Sequence, residues 1–557
     1  MKTKYLISVG ILCTSLGFSS CSDYLDMTPT NEVSDKTVWN SVTNAELAVN
    51  SFYHYTAYFG NYNEGQCKAG MTEGLTDLIK YGDANYNAYR YVPNELSYGE
   101  TSVVDANYVA TYLGNWAKVY EYVRRVNEAL YNLDKYGNFA PDDVTRLEAE
   151  LRFFRGMLYF DLVKRYKEVI IYDKDLAKIQ PNMPLSTEEQ GWDFVESDLN
   201  FAGEHLKKSA TSNGRVTSGA AYALLSRAML YAERWAKAKA AAEEVINSKL
   251  YSLVKDNYVD AFKSNSNEAI WEYDYNATNK VYHSWDNFYA PGGDKKFDGN
   301  NQVGGLANPT QEMVESYEYA TTGGFPDWSA WHTTESTEEN PPYSKLEPRF
   351  QASILYNGAT WKGRTIEPFV GGNDGWMQWL VEKDGNGRTA TGYFLRKLVD
   401  ENHSFSTSQY SVAPWIAIRY AEVLLNYAEA CYRTNDATNA NNAVREIRSR
   451  VGLPYSDKSG DALMAAIRQE RKVELACEGF YYWDMRRWKL AQSTFSATRR
   501  HGLKIEKNAN GTFKYTYVEV DHKDLSFPSK MYRCPLPSSE INGNQSISGM
   551  AITFKEK

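Results

Sequence analysis

The sequence is poor in the residues that build metal centres and disulfide frameworks. It has only six cysteines and seven histidines in 557 residues. No CxxC pair occurs and no histidines recur at ligand spacing, which excludes zinc-ribbon and dithiol redox motifs. HExxH, G-x-S-x-G, G-x-G-x-x-G and the phosphate-binding loop are also missing. No cofactor or metal is therefore expected. Net charge is −9 and no run of Lys and Arg is present. Nucleic acid and anionic membrane surfaces need clustered basic side chains, so neither is expected as a partner. After residue 18 no apolar run reaches the length of about 18 residues that a membrane helix needs.

What the chain has in plenty is aromatic surface: 43 Tyr and 14 Trp, with aromatics at 14% overall. These side chains combine a flat apolar face with a polar handle, which suits cores, interfaces and ligand platforms alike. The rest is globular, at 43% hydrophobic and 24% charged. Length suggests about three domains.

The N-terminus carries an export signal. Lys2 and Lys4 precede "YLISVGILCTSLGF", an apolar run over residues 5–18 that is too short to span a bilayer. Ser19 and Ser20 then lead to Cys21. Small residues before a cysteine at the end of such a core mark a bacterial lipoprotein signal, cleaved ahead of an acylated thiol. A plain secretory signal cut elsewhere is the alternative. More than one acyl chain on Cys21 would anchor the protein stably. Cys13 leaves with the signal. Cys431 and Cys477 fall in helical patterns as small buried residues. Cys67 and Cys534 could pair in an oxidising compartment, although no spacing argues for it.

Helical signals fill two blocks. Leu147, Leu151, Phe154, Leu158 and Leu162 follow a 3.6-residue stripe, with Pro141 and Asp142 as start signals. Residues 215–251 read as two antiparallel helices turning near Glu233 to Trp235. Residues 413–436 read as one helix and 438–452 as its partner. Ala221, Leu224, Leu225 and Ala228 match Ala421, Leu424, Leu425 and Ala428: both read A-x-x-L-L-x-x-A. Small residues on one face let helices approach closely, the packing logic of tetratricopeptide-type hairpins. Between the blocks lies an insertion, residues 271–412, rich in Gly, Asn, Asp, Tyr and Trp. It holds seven of the tryptophans. Short strands are expected there, for example over 392–399. "Asp384-Gly-Asn386-Gly" reads as a hairpin turn rather than a calcium loop.

The expected organisation is a signal peptide (1–20), a lipidated lead (21–40), an N-terminal helical region (41–270), the loop-rich insertion (271–412) and a C-terminal helical region (413–557). The fold class is mainly α: tetratricopeptide-like helical hairpins packed against an irregular, loop-rich half with short strands.

Two features invite chemistry. Glu470, Glu474 and Glu478, with Arg471 nearby, could form an acid–base set, or an intrahelical ion-pair network that locks the helix against its neighbour. The second reading is preferred. The aromatic clusters suggest carbohydrate. Sugars present C–H faces that stack on flat rings, and hydroxyls that bond to Asn, Asp, Lys and Arg. Three segments offer this combination. "YHSWDNFYAPGG" supplies Trp285 with Asp286 and Asn287. "FPDWSAWH" supplies Trp328 and Trp331 with Asp327. "LTDLIKYGDANYNAY" supplies Asp77, Lys80, Tyr81, Asp83 and Asn85. Trp285, Asn287, Trp328, Trp331, Tyr81, Asp77, Lys80 and Asn85 are the candidate glycan ligands. The competing reading makes each Trp filler for an irregular core.

A series of segments then carries a resemblance. The cysteine followed by "DYLDMTPTNEVSDKTVW", "EAELRFFRGMLYFDLVKRY", "GRVTSGAAYALLSRAMLYAERWAKAKAAAEEVI", "IRYAEVLLNYAEACYR", "AIRQERKVELACEGFYYWDMRRW" and "YRCPLPSSEINGNQSI" together resemble the SusD/RagB family of Bacteroidetes outer-membrane lipoproteins. One departure lies at Phe480 and Tyr481, where family members often have Arg. The resemblance implies a surface lipoprotein, not an enzyme, that captures nutrient, usually an oligosaccharide. It also implies a SusC-like TonB-dependent transporter as partner, with this protein as its hinged lid. The resemblance assigns the ligand arc to an early loop and to the insertion, at Asp77–Asn85, Trp285–Asn287 and Trp328–Trp331. Three other readings stand beside it: a peptide-capturing relative, a glycoside hydrolase with two facing carboxylates, and a structural repeat scaffold. The Trp-rich loops argue against the peptide lid and the scaffold.

Overall fold

Short polar side chains and a proline set where the helices begin. In the computed structural model, which describes residues 35–59, 72–81, 113–175, 178–210, 214–255, 257–294, 304–376, 388–405, 408, 410–496, 498–521, 524–525 and 527–548, helical hairpins form one half. After two short helices, α1 (Asp35–Trp39) and α2 (Val42–Asn50), come α3 (Trp116–Tyr136) and α4 (Pro141–Tyr166). Then follow α5 (Glu188–His205), α6 (Ser218–Tyr231) and α7 (Trp235–Ser248). Thr187 and Gln190 close a capping box on α5, and the Thr217 hydroxyl accepts from the Ala220 amide on α6. Pro141 opens α4, with Asp142 and Asp143 beside the positive end of the helix dipole.

Each helix packs on the next: α3 on α4, α4 on α5, α5 on α6, α6 on α7. Two glycines let the backbones close up. A Cβ at Gly156 of α4 would meet Leu199 of α5 at 2.9 Å, and one at Gly203 of α5 would meet the Tyr222 ring of α6 at 2.6 Å. The predicted turn between α6 and α7 holds, with Glu233 at φ 57°.

The second block continues the stack. The two A-x-x-L-L-x-x-A faces are buried throughout, as Ala221, Leu224, Leu225 and Ala228 and as Ala421, Leu424, Leu425 and Ala428. Two polar bonds tie them together. Arg227 pairs with Glu422 at 2.5 Å, and the Asn426 amide donates to the Ser226 hydroxyl at 3.1 Å.

Residues 413–436 are not one helix. A strand comes first. Trp415–Arg419 pairs antiparallel with Ala269–Tyr273, and the helix starts at Tyr420. The run "WIAIR" is bulky and β-branched, and such a run reads equally as buried strand or buried helix. The partner strand, invisible locally, decides. Residues 274–414 therefore leave and return across one ladder. The strands of this half are short. In chain order, β1 (Ile79–Tyr81) pairs with β3 (Ala307–Pro309), β2 (Ala269–Tyr273) with β4 (Trp415–Arg419), and β5 (His501–Lys507) with β6 (Phe513–Glu519). The strand expected over 392–399 shrinks to Phe394–Leu395, paired with Ile354–Leu355. With α8 (Trp285–Tyr289) and α9 (Gln311–Val314), these make the irregular half. The C-terminal helices are α10 (Tyr420–Arg433), α11 (Ala437–Arg450), α12 (Gly460–Glu474) and α13 (Tyr481–Arg487). No helix among the described residues is long and apolar enough to cross a membrane. Cys431, Cys477 and Cys534 are buried free thiols, and Cys67 lies outside the described residues, as does the 384–387 turn.

A buried ionic cluster joins the two halves. Arg419, at the end of β4, bonds to Glu478 at 2.7 Å, Glu268 at 2.7 Å and Glu474 at 2.6 Å. Arg349 reaches Glu347 at 2.5 Å and Glu470 at 2.8 Å. Arg448 bridges Glu318 at 2.7 Å and Glu470 at 2.5 Å, while Lys397 meets Glu478 at 2.7 Å. Glu470, Glu474 and Glu478 thus do form an ion-pair network, but across the tertiary structure rather than along one helix. Arg471 is outside it, at 2.8 Å from Asp484.

Next to this cluster, the Glu73 carboxyl is fully enclosed. One oxygen accepts from the Gly479 amide at 2.8 Å, and the other makes no hydrogen bond among the described residues. Burial raises its pKa from 4.5 to about 7. The folded state therefore keeps this proton to a higher pH than the unfolded chain. Its stabilising share is complete below about pH 4.5 and is lost as pH rises through about 7. Glu73→Gln removes the titration. The variant should gain on the parent by up to about 3 kcal/mol between pH 5 and pH 8, read by chemical denaturation at both pH values. A gain that does not grow with pH would show that Glu73 does not titrate in this window.

Candidate ligand-binding site

The three predicted clusters lie far apart in sequence, yet all touch one segment, residues 304–315. The Asn287 carbonyl accepts from the Gly304 amide at 3.0 Å, and the Phe288 carbonyl from the Leu306 amide at 2.8 Å. Ile79, Lys80 and Tyr81 pair with Pro309, Asn308 and Ala307. The Thr310 hydroxyl donates to the Asp77 carbonyl at 2.6 Å. Glu315 bonds to His332, beside Trp331, at 2.6 Å. The segment acts as a shared spine.

The side chains themselves are mostly inward, which corrects the expectation of open aromatic platforms. Trp285 has 0% of its surface exposed and tilts against Tyr289 with ring centroids 4.4 Å apart. Trp328 and Trp331 are each 5% exposed and meet edge to face at 5.4 Å. The Trp331 indole donates to the Glu339 carbonyl at 2.9 Å. Asn287 is buried and Asp77 half-buried. Tyr81 is fixed through its strand backbone, and Asn85 lies outside the described residues. The physical reason lies in the irregular backbone. A half built of loops and two- to seven-residue strands leaves irregular interior spaces between its aliphatic side chains, and large rings fill them.

Lys80 shows the same inversion for charge. Its ammonium pairs with Asp521 at 2.8 Å, and both side chains are almost wholly buried. Arg500 binds the same carboxylate at 2.6 Å and 2.9 Å. Burial opposes ionisation of Asp521, but Arg500 and then Lys80 outweigh it and hold its pKa far below the usual carboxylate range. Lys80 is a structural cation here. Lys80→Met should cost about 1–3 kcal/mol, less than a lone buried pair because Arg500 remains. Ligand affinity of the folded variant should match the parent. A stable variant with weakened binding would return Lys80 to the ligand.

A polar network supports α8 from below. Asp286 accepts from His403 at 2.8 Å and from the Asp400 amide at 3.0 Å. Burial disfavours charge on His403, but the Asp286 carboxylate outweighs it and raises the His403 pKa. Burial lowers His283 to about 4, so this ring is neutral near pH 7. Its nitrogens meet the Trp285 amide at 3.2 Å and the Ala413 carbonyl at 3.1 Å.

What faces water in this region was not singled out from the sequence. His283 and Ser411 exchange both backbone hydrogen bonds, at 3.1 Å and 3.0 Å. Their side chains point inward and are buried. The neighbours on the opposite face of this bridge are Tyr282, Tyr410 and Val412, exposed at 37%, 40% and 42%. The two tyrosine rings lie within 20° of parallel, with centroids 5.6 Å apart. Tyr282 stood inside a segment chosen for Trp285. Its partner lies at the far end of the insertion, so only the fold brings them together.

A separate cavity of 240 Å³ sits beside β2, lined by Lys208, Arg215, Thr217, Tyr251, Trp271 and Glu272 among others. Several of its polar walls are already engaged: Arg215 with Glu150 at 2.9 Å, Thr217 with Tyr251 at 3.3 Å, and Glu272 with the Asn265 amide at 3.1 Å.

Comparison with known proteins agrees with this architecture. A profile of the SusD family matches residues 267–550, and one described as "Starch-binding associating with outer membrane" matches residues 23–230. A SusD-like protein of Bacteroides ovatus is 26% identical over 88% of this chain and 83% of its own length. SusD-like protein P2 of Formosa agariphila is 22% identical over 98% of this chain and 99% of its own. Among solved structures, a SusD-like protein from Bacteroides fragilis superposes with a TM-score of 0.77 at 28% identity, covering 93% of this chain and 98% of that one. A second from that species, described as a SusD-like carbohydrate binding protein, gives a TM-score of 0.74 at 23% identity, with 92% and 100% covered. Helical hairpins, the loop-rich half between them and a profile match over half the chain lead to one conclusion: the chain belongs to the SusD/RagB family.

Proposed function

We propose that this protein is a lipid-anchored glycan-binding protein of the outer cell surface. It captures an oligo- or polysaccharide and hands it to a SusC-like TonB-dependent transporter, without itself cleaving the glycan. The observation that carries the reading is the match of residues 23–230 to a family described as starch-binding and associated with the outer membrane. A carbohydrate-binding relative with the same fold supports it. The loop-rich half adds physical support, because it turns near-parallel aromatic rings to water where a polar face is usual. The Glu470–Glu474–Glu478 set also fits binding rather than turnover. These carboxylates are buried and paired with Arg419, Arg349, Arg448 and Lys397, out of reach of a sugar. In this reading Trp285, Asn287, Trp328, Trp331 and Asp77 hold the glycan-facing loops in shape from beneath, while Lys80 serves the fold through Asp521. Tyr81 and Asn85 remain proposed ligand contacts.

The anchor and the absence of turnover are tested together. Wild-type protein should sediment with membranes and take up labelled fatty acid, and Cys21→Ala should do neither. The purified body should release no new reducing ends from a glycan it retains. Unlabelled wild-type protein, or steady release of reducing ends, would contradict the reading.

A further inference from the structure

Antiparallel pairing puts alternate side chains on opposite faces. At the His283–Ser411 bridge the inward face is polar and buried, and the outward face carries Tyr282, Tyr410 and Val412. The usual arrangement is the reverse, with apolar side chains inward and polar ones in water. Single exposed aromatics need no explanation, but paired ones across a ladder do.

The pair is also held in place. The Tyr282 hydroxyl donates to the Ala277 carbonyl at 3.2 Å, across a turn in which Asn276 accepts from the Thr278 and Asn279 amides at 2.9 Å and 3.2 Å. The Tyr410 amide donates to the Ser408 hydroxyl at 2.9 Å. The Tyr410 hydroxyl makes no hydrogen bond among the described residues, and its side chain is 40% exposed. Beneath, His283 and Ser411 are clamped by the two bridge bonds and by the Ala413 carbonyl. Rings positioned in advance lose little entropy when a ligand arrives.

We propose that Tyr282 and Tyr410 form a stacking subsite for uncharged pyranose units, at the seam where the insertion leaves and rejoins the helical half. This rests on the glycan-binding reading and gives it specific residues. The apolar C–H face of a pyranose covers ring and Val412 surface together, while its rim hydroxyls reach the Tyr410 hydroxyl. A neutral sugar fits because the contacts on this face are aromatic rings, a valine and a hydroxyl.

The test uses the folded body, residues 22–557, against a panel of neutral and acidic polysaccharides by affinity electrophoresis. Tyr282→Ala, Tyr410→Ala and the double variant are run beside the parent. Tyr131→Ala serves as control, since Tyr131 is 36% exposed on the helical half. The parent should be retarded by at least one neutral glycan. The double variant should lose about ten-fold or more in affinity, with Tyr131→Ala unchanged. The variants should remain folded, with melting temperatures lowered by no more than a few degrees, because the substituted rings are 37% and 40% exposed and lie outside the core. A parent that binds glycan equally well as the double variant overturns the subsite alone. Retardation by acidic glycans only overturns its neutral-sugar specificity. A parent that binds no glycan overturns both the subsite and the reading beneath it.

Discussion

Replacing Arg419 by Leu should cost about 3–5 kcal/mol or abolish folding. The guanidinium serves Glu268, Glu474 and Glu478 at once, and also donates to the Glu474 carbonyl at 2.7 Å. All four side chains are buried. Its removal leaves buried carboxylates facing one another. Burial alone would raise Glu474 and Glu478, yet both sit below the ordinary glutamate value because Arg450, Arg419 and Lys397 surround them. Without Arg419, Arg450 still reaches Glu268 and Glu474, and Lys397 still reaches Glu478, but the one cation shared by all three carboxylates is gone. The effect reaches beyond local packing, because Arg419 ends the strand that closes the insertion and Glu474 ends α12. Chemical denaturation of parent and variant measures it. A loss under about 1 kcal/mol would mean that the cluster relaxes freely and does not fasten the two halves.

Trp285→Ala should be the second large loss, about 3–5 kcal/mol, since the indole is fully enclosed and its removal leaves a cavity. The consequence for function differs from that of a surface ring. Trp285 lies directly after His283 and Ser284 and fixes the start of α8, whose Asp286 anchors His403. Stability and glycan binding should therefore fall together in Trp285→Ala, whereas Tyr282→Ala should lower binding alone. Denaturation and binding measured on the same preparations separate the cases. Trp285→Ala with parental stability but lost affinity would show that this ring faces the ligand.

The helical half was legible because its signals are local. The 3.6-residue periodicity, Thr caps, Pro141 and the two A-x-x-L-L-x-x-A faces each act within a few residues. What escaped was decided at a distance. "WIAIR" became strand because "AIWEY" pairs with it. Lys80 became structural because Asp521 and Arg500 lie beside it. The glutamates of α12 found arginines from three other segments. The aromatic loops were legible in composition but not in direction. Gly-rich, polar segments suggested exposed tryptophans, yet Trp285, Trp328, Trp331 and Trp361 are buried in the core of this half beside aliphatic side chains such as Leu306, Ile354, Leu355 and Ile366. The tyrosines that do face water share a face only through a single bridge between distant residues.

The central claim is capture of a glycan without chemistry. Calorimetric titration of the folded body, residues 22–557, with oligosaccharides from each retained polysaccharide tests it most directly. The account predicts saturable binding to at least one neutral oligosaccharide, weakened about ten-fold or more by Tyr282→Ala with Tyr410→Ala, and the ligand recovered intact. Absence of binding to every glycan offered, or recovery of the ligand cleaved, would contradict it.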